Sequence, residues 1–389
     1  MEMATSQMLF TLLRSALTGE KITERERECF LPYIPYVLLN TAYKHDLIHL
    51  AVFGLKQNDL LKGENVALEK YIFNAVYRCM QLESEYDNLC KMLEDMKVPF
   101  LPLKGSVIRQ YYPEAWMRTS SDIDILVSKN DIKKIISVLS EKKGYRYEYE
   151  SSYDVSVVAP NDMHIELHLD FAESEITDKS SKILKDIWKW ASLKEGASYW
   201  YELSDEAYYF YHIVHMAKHF EHGGCGIRPF IDLWILDNIK DCDQEKRNAI
   251  IDEGGLLKFS EKARKLKDFW FENKECDQVT EWMANYILCG GVYGNRDNRI
   301  ALQQEKNGGI VKYTLKKIFV PYKILKEHYP IICKYRWLTP FMEIRRWCKL
   351  IFCGHTKRVM DDFKYSQYVA KNESETMKEF LLDTGLKTK

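Results

Sequence analysis

Two aspartates lie inside a segment that otherwise has the composition of a buried strand. In RTSSDIDILVSK, residues 118–129, Asp122 and Asp124 alternate with aliphatic side chains. Side chains two residues apart on a strand point to the same face, so both carboxylates should project together while Ile123 and Ile125 enter the core. A carboxylate on a buried strand is costly unless it is paired or binds a metal ion. The spacing therefore predicts a site that holds a cation.

A third carboxylate is predicted to join them from a later strand. In HIELHLDF, residues 164–171, the side chains that share one face are His164, Glu166, His168 and Asp170. If this strand lies beside the first, Glu166 reaches the two aspartates. A site of carboxylate oxygens suits Mg²⁺, and two such ions can clamp the attacking and leaving oxygens of a nucleotidyl transfer. Because three carboxylates at one site repel each other, we expect that neutralising either aspartate stabilises the metal-free protein.

A glycine-serine turn precedes the aspartates and strengthens this prediction, since two aspartates at this spacing are a weak signal alone. The segment PLKGS, residues 102–106, predicts a strand that ends in a turn and leads into a helix. Such a turn offers backbone N–H groups to phosphate, glycine permits a close approach, and nearby cations neutralise phosphate charge. The predicted nucleotide-binding residues are Lys104, Gly105, Ser106, Arg118 and Ser121.

The order of these motifs resembles a known superfamily. A strand, KGS, a helix, DID and a later IEL are similar to the pattern of the DNA polymerase β-like nucleotidyltransferases. More narrowly, PFLPLKGSVIRQYYPEAWMRTSSDIDILV, HMAKHF, IRPFIDLWIL and FVPYKILKEHYP resemble an uncharacterised bacterial nucleotidyltransferase family that is often associated with cell-surface polysaccharide gene clusters. The resemblance spans most of residues 5–360. It departs from the family at Glu166, where aspartate is expected.

This resemblance implies an Mg²⁺-dependent nucleotidyltransferase of the 2.7.7 type. The enzyme would transfer a nucleoside monophosphate from an NTP such as ATP to an unidentified hydroxyl or phosphate acceptor, with release of pyrophosphate. Asp122 and Asp124 would ligate two Mg²⁺ ions, and Glu166 would hold the catalytic ion and help to deprotonate the acceptor. Ser106 and the adjacent backbone would hold the β- and γ-phosphates, while Arg118 and Ser121 would shape the entry to the metal-binding strand.

Histidines recur on one face of a predicted helix. In HIVHMAKHFEH, residues 212–222, they follow at steps of three, four and three. A zinc site, packed histidines with ordinary hydrogen bonds, and a face that lines the substrate cleft remain open. On the next helix, Arg228 and Asp232 are four residues apart, which predicts an ion pair within that helix. The candidate residues for the substrate cleft are His168, His215, Lys218, His219, Arg228 and Asp232.

Residues 311–358 form a basic and aromatic segment. They contain twelve Lys or Arg and two acidic residues, a local net charge of 12 − 2 = +10. One interpretation is contact with an anionic membrane surface, a lipid- or saccharide-linked acceptor, or, less in keeping with the resemblance, nucleic acid. The other is a helical subdomain whose solvated face is basic.

The composition is that of a globular chain. Of 389 residues, 46% are hydrophobic and 29% charged, and the net charge of −1 indicates no nucleic-acid-binding field over the whole chain. Ten scattered cysteines without a CxxC predict reduced thiols in a cytoplasmic protein, which would be peripheral to the membrane if the basic segment docks there. The N-terminal segment predicts an amphipathic helix rather than a signal peptide.

Periodicity divides the chain into four predicted regions and an α+β fold. Residues 1–96 are predicted to be a helical region, and 97–200 a nucleotidyltransferase core with a small mixed sheet. Residues 201–300 are predicted to be a helical domain that closes the cleft, and 301–389 a basic aromatic helical region with a frayed tail.

Two other functions use similar residues. A metal-dependent glycosyltransferase also carries Asp-x-Asp, but it should have several βα units before that motif, whereas the chain before Val98 has a helical pattern. A degenerate nucleotide-binding or interaction module without catalytic activity is the second alternative, against which the three carboxylates argue.

Overall fold

The computed structural model shows an α+β protein, as the sequence predicts. It describes residues 2–30, 36–61, 65–142, 144–171, 177–239, 242–292, 294–352, 361, 364–368 and 379–386. The chain divides into two compact units, residues 1–220 with 225–293, and residues 221–224 with 294–389. The four-region division stays a prediction. The predicted frayed tail, and Lys357 and Arg358 of the basic segment, lie largely or wholly outside the described residues.

The first unit begins with helices, which confirms the prediction for residues 1–96 where they are described. They are α1 Glu2–Thr18, α2 Glu24–Glu28, α3 Tyr36–Lys44, α4 Ile48–Gln57 and α5 Val66–Asp95. Apolar side chains of α1 at steps of three and four are fully buried, among them Leu9, Leu12 and Leu13. In α5, Leu89 and Leu93 pack into the same apolar core as the sheet that follows.

The sheet of the first unit is small and mixed, as predicted. Its strands are β1 Phe100–Pro102, β2 Asp122–Val127, β3 Arg146–Glu150, β4 Asp154–Val158 and β5 His164–His168. They lie in the order β1-β2-β5-β4-β3. Strands β2 and β5 are parallel, and the other neighbouring pairs are antiparallel. The strand that carries the two aspartates is therefore beside the strand that carries the third carboxylate.

Alternation fixes which face of the sheet is polar. Ile123, Ile125, Ile165 and Leu167 are fully buried in the apolar core. Burial of each such side chain contributes about 1.5–3 kcal/mol. A slip of the register by one residue would exchange these side chains for the carboxylates, so the core holds the acidic residues on the opposite face.

Short helical elements lie on both sides of β2 in the chain. Helix α6 Gly105–Ile108 and 3₁₀ turns at Arg109–Tyr111 and Ala115–Met117 precede β2, and α7 Ile132–Ser137 follows it and continues as a π-helical turn through Lys142. Asp131 occupies the N-cap position of α7 and makes no capping hydrogen bond with its side chain.

The two edges of the sheet differ. Strand β1 is covered, since the amide of Phe100 donates to the carbonyl of Tyr199 at 3.0 Å. Strand β3 has five exposed residues, and its pairing with β4 shifts register between Tyr147 and Tyr149. A two-stranded sheet, β6 Ala191–Leu193 and β7 Tyr201–Leu203, was not predicted.

Beyond the two sheets, the described residues of both units are mainly helical, as predicted for residues 201–389. The first unit continues with α8 Asp178–Lys185, α9 Asp205–Glu221, α10 Arg228–Asp237, α11 Gln244–Glu253, α12 Leu257–Glu272 and α13 Gln278–Leu288. The second contains α14 Arg296–Lys306, α15 Ile310–Ile318, α16 Tyr322–His328, α17 Ile331–Lys334 and α18 Thr339–Phe352. Among the residues described here, no helix has the length and apolar character needed to span a membrane.

Candidate active site

A cavity of about 800 Å³ in the first unit brings most of the predicted residues together. Thirteen of the fourteen line it: Lys104, Gly105, Arg118, Ser121, Asp122, Asp124, Glu166, His168, His215, Lys218, His219, Arg228 and Asp232. Ser106 is not among the lining residues that the structure describes. Its Oγ is buried and has no hydrogen-bond partner within the described part of the chain.

The carboxylates converge because β2 and β5 are in parallel register. Asp124 lies directly opposite Glu166, and Asp122 lies two residues earlier on the same face. Glu166, His168 and Asp124 each offer one ligand atom, and these three atoms lie within 4.8 Å of one another. His168 contributes to this cluster because it follows Glu166 by two residues on β5.

Asp124 is bound by a lysine and a histidine. Its carboxylate accepts hydrogen bonds at 2.7 Å from both Lys104 Nζ and His168 Nε2. Glu166 is farther from the same groups, at 3.9 Å from Lys104 Nζ and 3.6 Å from His168 Nε2. Burial alone would raise the pKa of Asp124, but the Lys104 ammonium and the His168 hydrogen bond outweigh it and hold that pKa well below its usual range.

Asp122 and Glu166 are perturbed in the opposite direction. Burial, followed by repulsion from the Asp124 carboxylate, raises the pKa of each. Because Asp124 is paired, we expect its neutralisation to destabilise the protein instead, whereas the expectation of stabilisation stays a prediction for Asp122. Sequence spacing shows that two carboxylates share a face, but it does not show which of them receives the counter-ions.

The cluster fits a divalent cation. Two carboxylates and an imidazole are ligands that divalent metals accept, and Asp122 adds a third carboxylate to the same cavity. The Lys104 ammonium supplies positive charge to this cluster, since it contacts Asp124 and approaches Glu166. A site that already attracts a positive group between two carboxylates has the charge that a metal ion requires.

The glycine of the KGS turn has a structural role that the sequence did not reveal. A Cβ at position 105 would lie 2.1 Å from Ser120 Oγ, so glycine gives the loop before β2 the space to approach. The preceding Lys104 has φ 48° and ψ −127°, which is uncommon for a residue with a side chain. Tyr208 holds this turn by donating its hydroxyl hydrogen bond to the Lys104 carbonyl at 2.7 Å.

The predicted ion pair between Arg228 and Asp232 is wrong. Asp232 is bound instead by Arg118, at 2.7 Å from Nε and 2.8 Å from Nη2, and by the Tyr112 hydroxyl at 2.6 Å. Arg228 pairs with Asp46 in the connection between α3 and α4. Spacing along a helix permits the predicted pair, but both side chains find partners from other elements. Arg118 is thus paired with a carboxylate of α10, which fixes the position of its guanidinium group.

The histidine face of α9 lines the cavity through three of its four members. The ring of His212 contacts the carbonyl of Pro229, with Nε2 2.9 Å from that oxygen, and burial lowers its pKa. His215 and His219 have their Nε2 atoms 3.0 Å apart, and Lys218 lies between them in sequence. The cluster that could hold a metal ion, among the described residues, does not include these histidines.

Several lining residues were not predicted as site residues. Arg78 of α5 donates to the carbonyls of Ser120 and Ser121, at 3.5 and 3.3 Å. Asp154 of β4 adds a carboxylate. His49 contacts the Met117 carbonyl at 3.2 Å, and burial lowers its pKa to about 4. None of these residues belongs to a local sequence motif. The only signal in the sequence was that Ser120, which Arg78 contacts, lies close to the aspartates.

Comparison with known proteins identifies the family. A family model described as uncharacterised nucleotidyltransferase matches residues 36–272, which is more than half of the chain and includes β1 through α12. No curated protein and no solved structure gives a significant match. The matched region contains every carboxylate of the cavity, together with the KGS turn and the histidine face. The chain therefore belongs to this nucleotidyltransferase family.

Proposed function

We propose that the protein transfers a nucleoside monophosphate from an NTP to a hydroxyl or phosphate acceptor and releases pyrophosphate. The observation that supports this most is the pairing of Asp124 with Glu166 across parallel strands, with Asp122 on the same face and in the same cavity. In a nucleotidyltransferase, such an arrangement suits an in-line displacement at phosphorus, in which charge must be neutralised on the attacking and leaving oxygens.

The carboxylates would hold the metal and orient the acceptor. Two Mg²⁺ ions, when bound, supply charge neutralisation for the reacting phosphate. Asp122 and Asp124 would be their ligands, and Glu166 would be a ligand that also accepts the proton of the acceptor hydroxyl. Burial raises the pKa of Glu166, which makes its carboxylate a stronger base than an exposed glutamate.

Cations of the helices would bind the anionic parts of the substrates. Arg78, Lys218 and Arg228 line the cavity from α5, α9 and α10. With Lys104 and the Gly105 turn, they offer positive charge to the triphosphate or to a phosphorylated acceptor. A cavity of about 800 Å³ is near the upper end of the usual range for ligand sites of roughly 300–1,000 Å³, as a reaction of two substrates requires.

The glycosyltransferase alternative is not favoured. Its nucleotide-sugar domain would need several βα units ahead of the aspartates, whereas the described residues before Val98 form helices and their connections. The non-catalytic alternative is decided by the experiment that follows.

Pyrophosphate release tests the proposed reaction. The wild-type chain is incubated with each labelled NTP, Mg²⁺ and a small-molecule cell extract. We expect a labelled product and the release of pyrophosphate. Glu166→Gln, which removes the charge but keeps the shape, should lower the rate by at least about 100-fold, on the scale of lost metal-site groups. Glu150→Gln at the exposed edge of the sheet is the matched control and should retain full activity. NTP binding without any Mg²⁺-dependent pyrophosphate release would instead favour the non-catalytic module.

We further propose that the second unit docks on an anionic membrane surface, where the acceptor would be lipid-linked. Helix α15 exposes Val311 and Leu315 on one face, which Phe319 extends, with 69, 49 and 63% of each residue accessible. Near α18, Trp337, Phe341 and Ile344 are 67, 56 and 60% exposed. These exposed apolar side chains are of the kind that insert into a membrane interface.

Basic side chains accompany these apolar residues. Lys312 and Lys316 are exposed on α15, and Arg345 and Lys349 on α18. Exposed apolar side chains together with cations complement a surface of anionic lipid, in which each basic residue near the headgroups contributes on the order of 1 kcal/mol. Nucleic acid would use the same charges but has less use for aliphatic side chains such as Val311 and Leu315.

Vesicle flotation tests the membrane proposal. Full-length protein should float with phosphatidylserine vesicles more than with phosphatidylcholine vesicles, and less at high salt. Arg345→Glu with Lys349→Glu should weaken binding by at least about 30-fold, as expected for two lost contributions of about 1 kcal/mol each. Arg346 is left intact because it pairs with Glu343. Lys129→Glu with Lys133→Glu, exposed in the first unit, is the control of equal charge change. Equal flotation with both lipids, or retention of RNA on filters without flotation, would contradict the proposal.

A further inference from the structure

The Lys104 ammonium lies 2.7 Å from Asp124 Oδ1 and 3.9 Å from Glu166 Oε2, and these two carboxylates belong to the cluster that could hold a metal ion. We propose that Lys104 is an internal counter-ion that a divalent cation displaces, and that its ammonium then moves to the phosphates of the nucleotide, so that metal and NTP bind cooperatively. This inference rests on the proposed nucleotidyl transfer. Lys104 would neutralise the acidic site when no metal is bound, and it would contact the substrate when metal is bound.

Charge favours the displacement. Asp124 is 2% exposed, and its Oδ1 already accepts hydrogen bonds from Lys104 and His168. A divalent cation and an ammonium group cannot both lie close to one carboxylate oxygen without strong repulsion. An imidazole ring is itself a metal ligand, whereas an ammonium group carries no lone pair with which to ligate a metal. Lys104 is therefore the group that we expect to leave.

The structure allows the side chain to leave while the backbone stays fixed. The Lys104 carbonyl accepts hydrogen bonds from the Tyr208 hydroxyl at 2.7 Å and from the amide groups of Val107 and Ile108 at 3.1 Å each. The uncommon backbone conformation of Lys104 is thus imposed by its surroundings. The side chain itself is 21% exposed and has four rotatable bonds. Rotation about these bonds moves the ammonium within the cavity without any change in β2 or α6.

The destination is the region beside the KGS turn. Lys104 directly precedes Gly105, which lines the same cavity as the carboxylates. An ammonium released from Asp124 therefore remains within reach of phosphates that bind at this turn. Metal binding would free the cation that the nucleotide needs, and the nucleotide would keep the cation away from the metal position, so each ligand should raise the affinity for the other.

Chemical labelling of lysine measures the displacement directly. The full chain is treated with acetic anhydride, and acetylation of each lysine is quantified by peptide mass spectrometry. Saturating Mg²⁺ should raise the labelling rate of Lys104 at least about fivefold, because its ammonium leaves a buried ion pair. A non-hydrolysable NTP analogue with Mg²⁺ should lower the rate again. Lys129, exposed and remote from the cavity, should be labelled equally in all three states.

Calorimetry of Mg²⁺ binding gives a second and independent readout. Lys104→Met keeps the length of the side chain and removes its charge. We expect this variant to bind Mg²⁺ about tenfold more tightly than wild type when nucleotide is absent. The NTP analogue should raise Mg²⁺ affinity in wild type and have little effect in the variant. If the variant does not fold, the labelling of the wild-type chain still decides the matter.

Two results would overturn the inference. One is unchanged Lys104 labelling when calorimetry shows Mg²⁺ bound to the wild-type chain. The other is the absence of Mg²⁺ binding in both wild type and Lys104→Met. Displacement of Lys104 without any pyrophosphate release would leave this inference standing and would count only against the proposed reaction, so the two failures are distinguishable.

Discussion

Replacing Asp124 by asparagine should destabilise the metal-free protein, while the same change at Asp122 should leave its stability unchanged or raise it. The carboxylate of Asp124 is the buried partner of Lys104 and His168. Its removal leaves these groups without their counter-ion, and loss of one partner from a buried pair costs about 3–5 kcal/mol. Because Lys104 keeps about a fifth of its side chain exposed, we expect about 3 kcal/mol. Burial and the nearby Asp124 carboxylate disfavour the charged form of Asp122, so neutralising Asp122 removes an unfavourable contribution to the free energy of folding.

Thermal melting in EDTA measures this contrast. Asp124→Asn should lower the melting temperature by roughly 6–12 °C, since the expected loss is about 3 kcal/mol and 1 kcal/mol corresponds to about 2–4 °C in a large domain. Asp122→Asn should melt at or above the wild-type temperature. Both variants should lose at least about 100-fold in activity and most of the stabilisation by Mg²⁺. Equal destabilisation by the two changes would contradict the charge pattern, and equal gains from Mg²⁺ in all three proteins would contradict a metal site.

Replacing Asp232 by asparagine should be the most destabilising single change among the cavity residues outside the sheet. Asp232 is 2% exposed and binds the guanidinium of Arg118 through both oxygens, with a further hydrogen bond from Tyr112. The variant leaves a buried guanidinium without its counter-ion, at a cost of about 3–5 kcal/mol. Since Arg118 also fixes the loop that leads into β2, activity should fall together with stability.

A double-mutant cycle checks that the effect comes from the pair. Arg118→Met with Asp232→Leu removes both charges and should cost less than the sum of the two single changes. Asp162→Asn, which breaks an exposed pair with Arg146, should change the free energy of unfolding by less than about 0.5 kcal/mol. Additive single effects at Arg118 and Asp232 would show that the two side chains do not act as a pair.

The Asp232 pair also has a pH dependence of defined sign. Burial alone would raise the pKa of Asp232, but the Arg118 guanidinium outweighs it and holds that pKa below its usual range. Its stabilising contribution is therefore present at neutral pH and is lost as the pH falls below about 4, the range of unfolded carboxyl groups. Asp232→Asn should accordingly flatten the acid side of the stability profile.

Local periodicity was sufficient to predict the face of the sheet that carries the carboxylates. Alternation in β2 and β5 gave the orientation of Asp122, Asp124 and Glu166, and the short apolar runs gave the mixed sheet. Both follow from a period of two residues, which is a property of the strand itself. The helices on either side of the sheet were predicted in the same way, from apolar residues at steps of three and four.

Partners distant in sequence could not be predicted from spacing. Arg118 and Asp232 are 114 residues apart, and their contact depends on how α10 packs. The same limit applies to Arg228, for which helical spacing suggested the wrong partner. Lys104 was assigned to phosphate because it precedes a glycine, whereas its place beside Asp124 depends on the pairing of β1 with β2. Strands of three residues, such as β6 and β7, are too short to give a periodic signal.

The exposed strand β3 has a consequence for self-association. A sheet edge with unpaired backbone groups is a template for strands of other molecules. Here Arg146, Glu148 and Glu150 alternate with two tyrosines, and the register shift at Tyr147–Tyr149 interrupts the regular spacing of hydrogen bonds along that edge. An added strand would have to accommodate these charges and match an irregular ladder. With β1 covered by the chain around Tyr199, the five-stranded sheet is closed to growth at one edge and poorly suited to it at the other, which should disfavour aggregation through cross-β stacking.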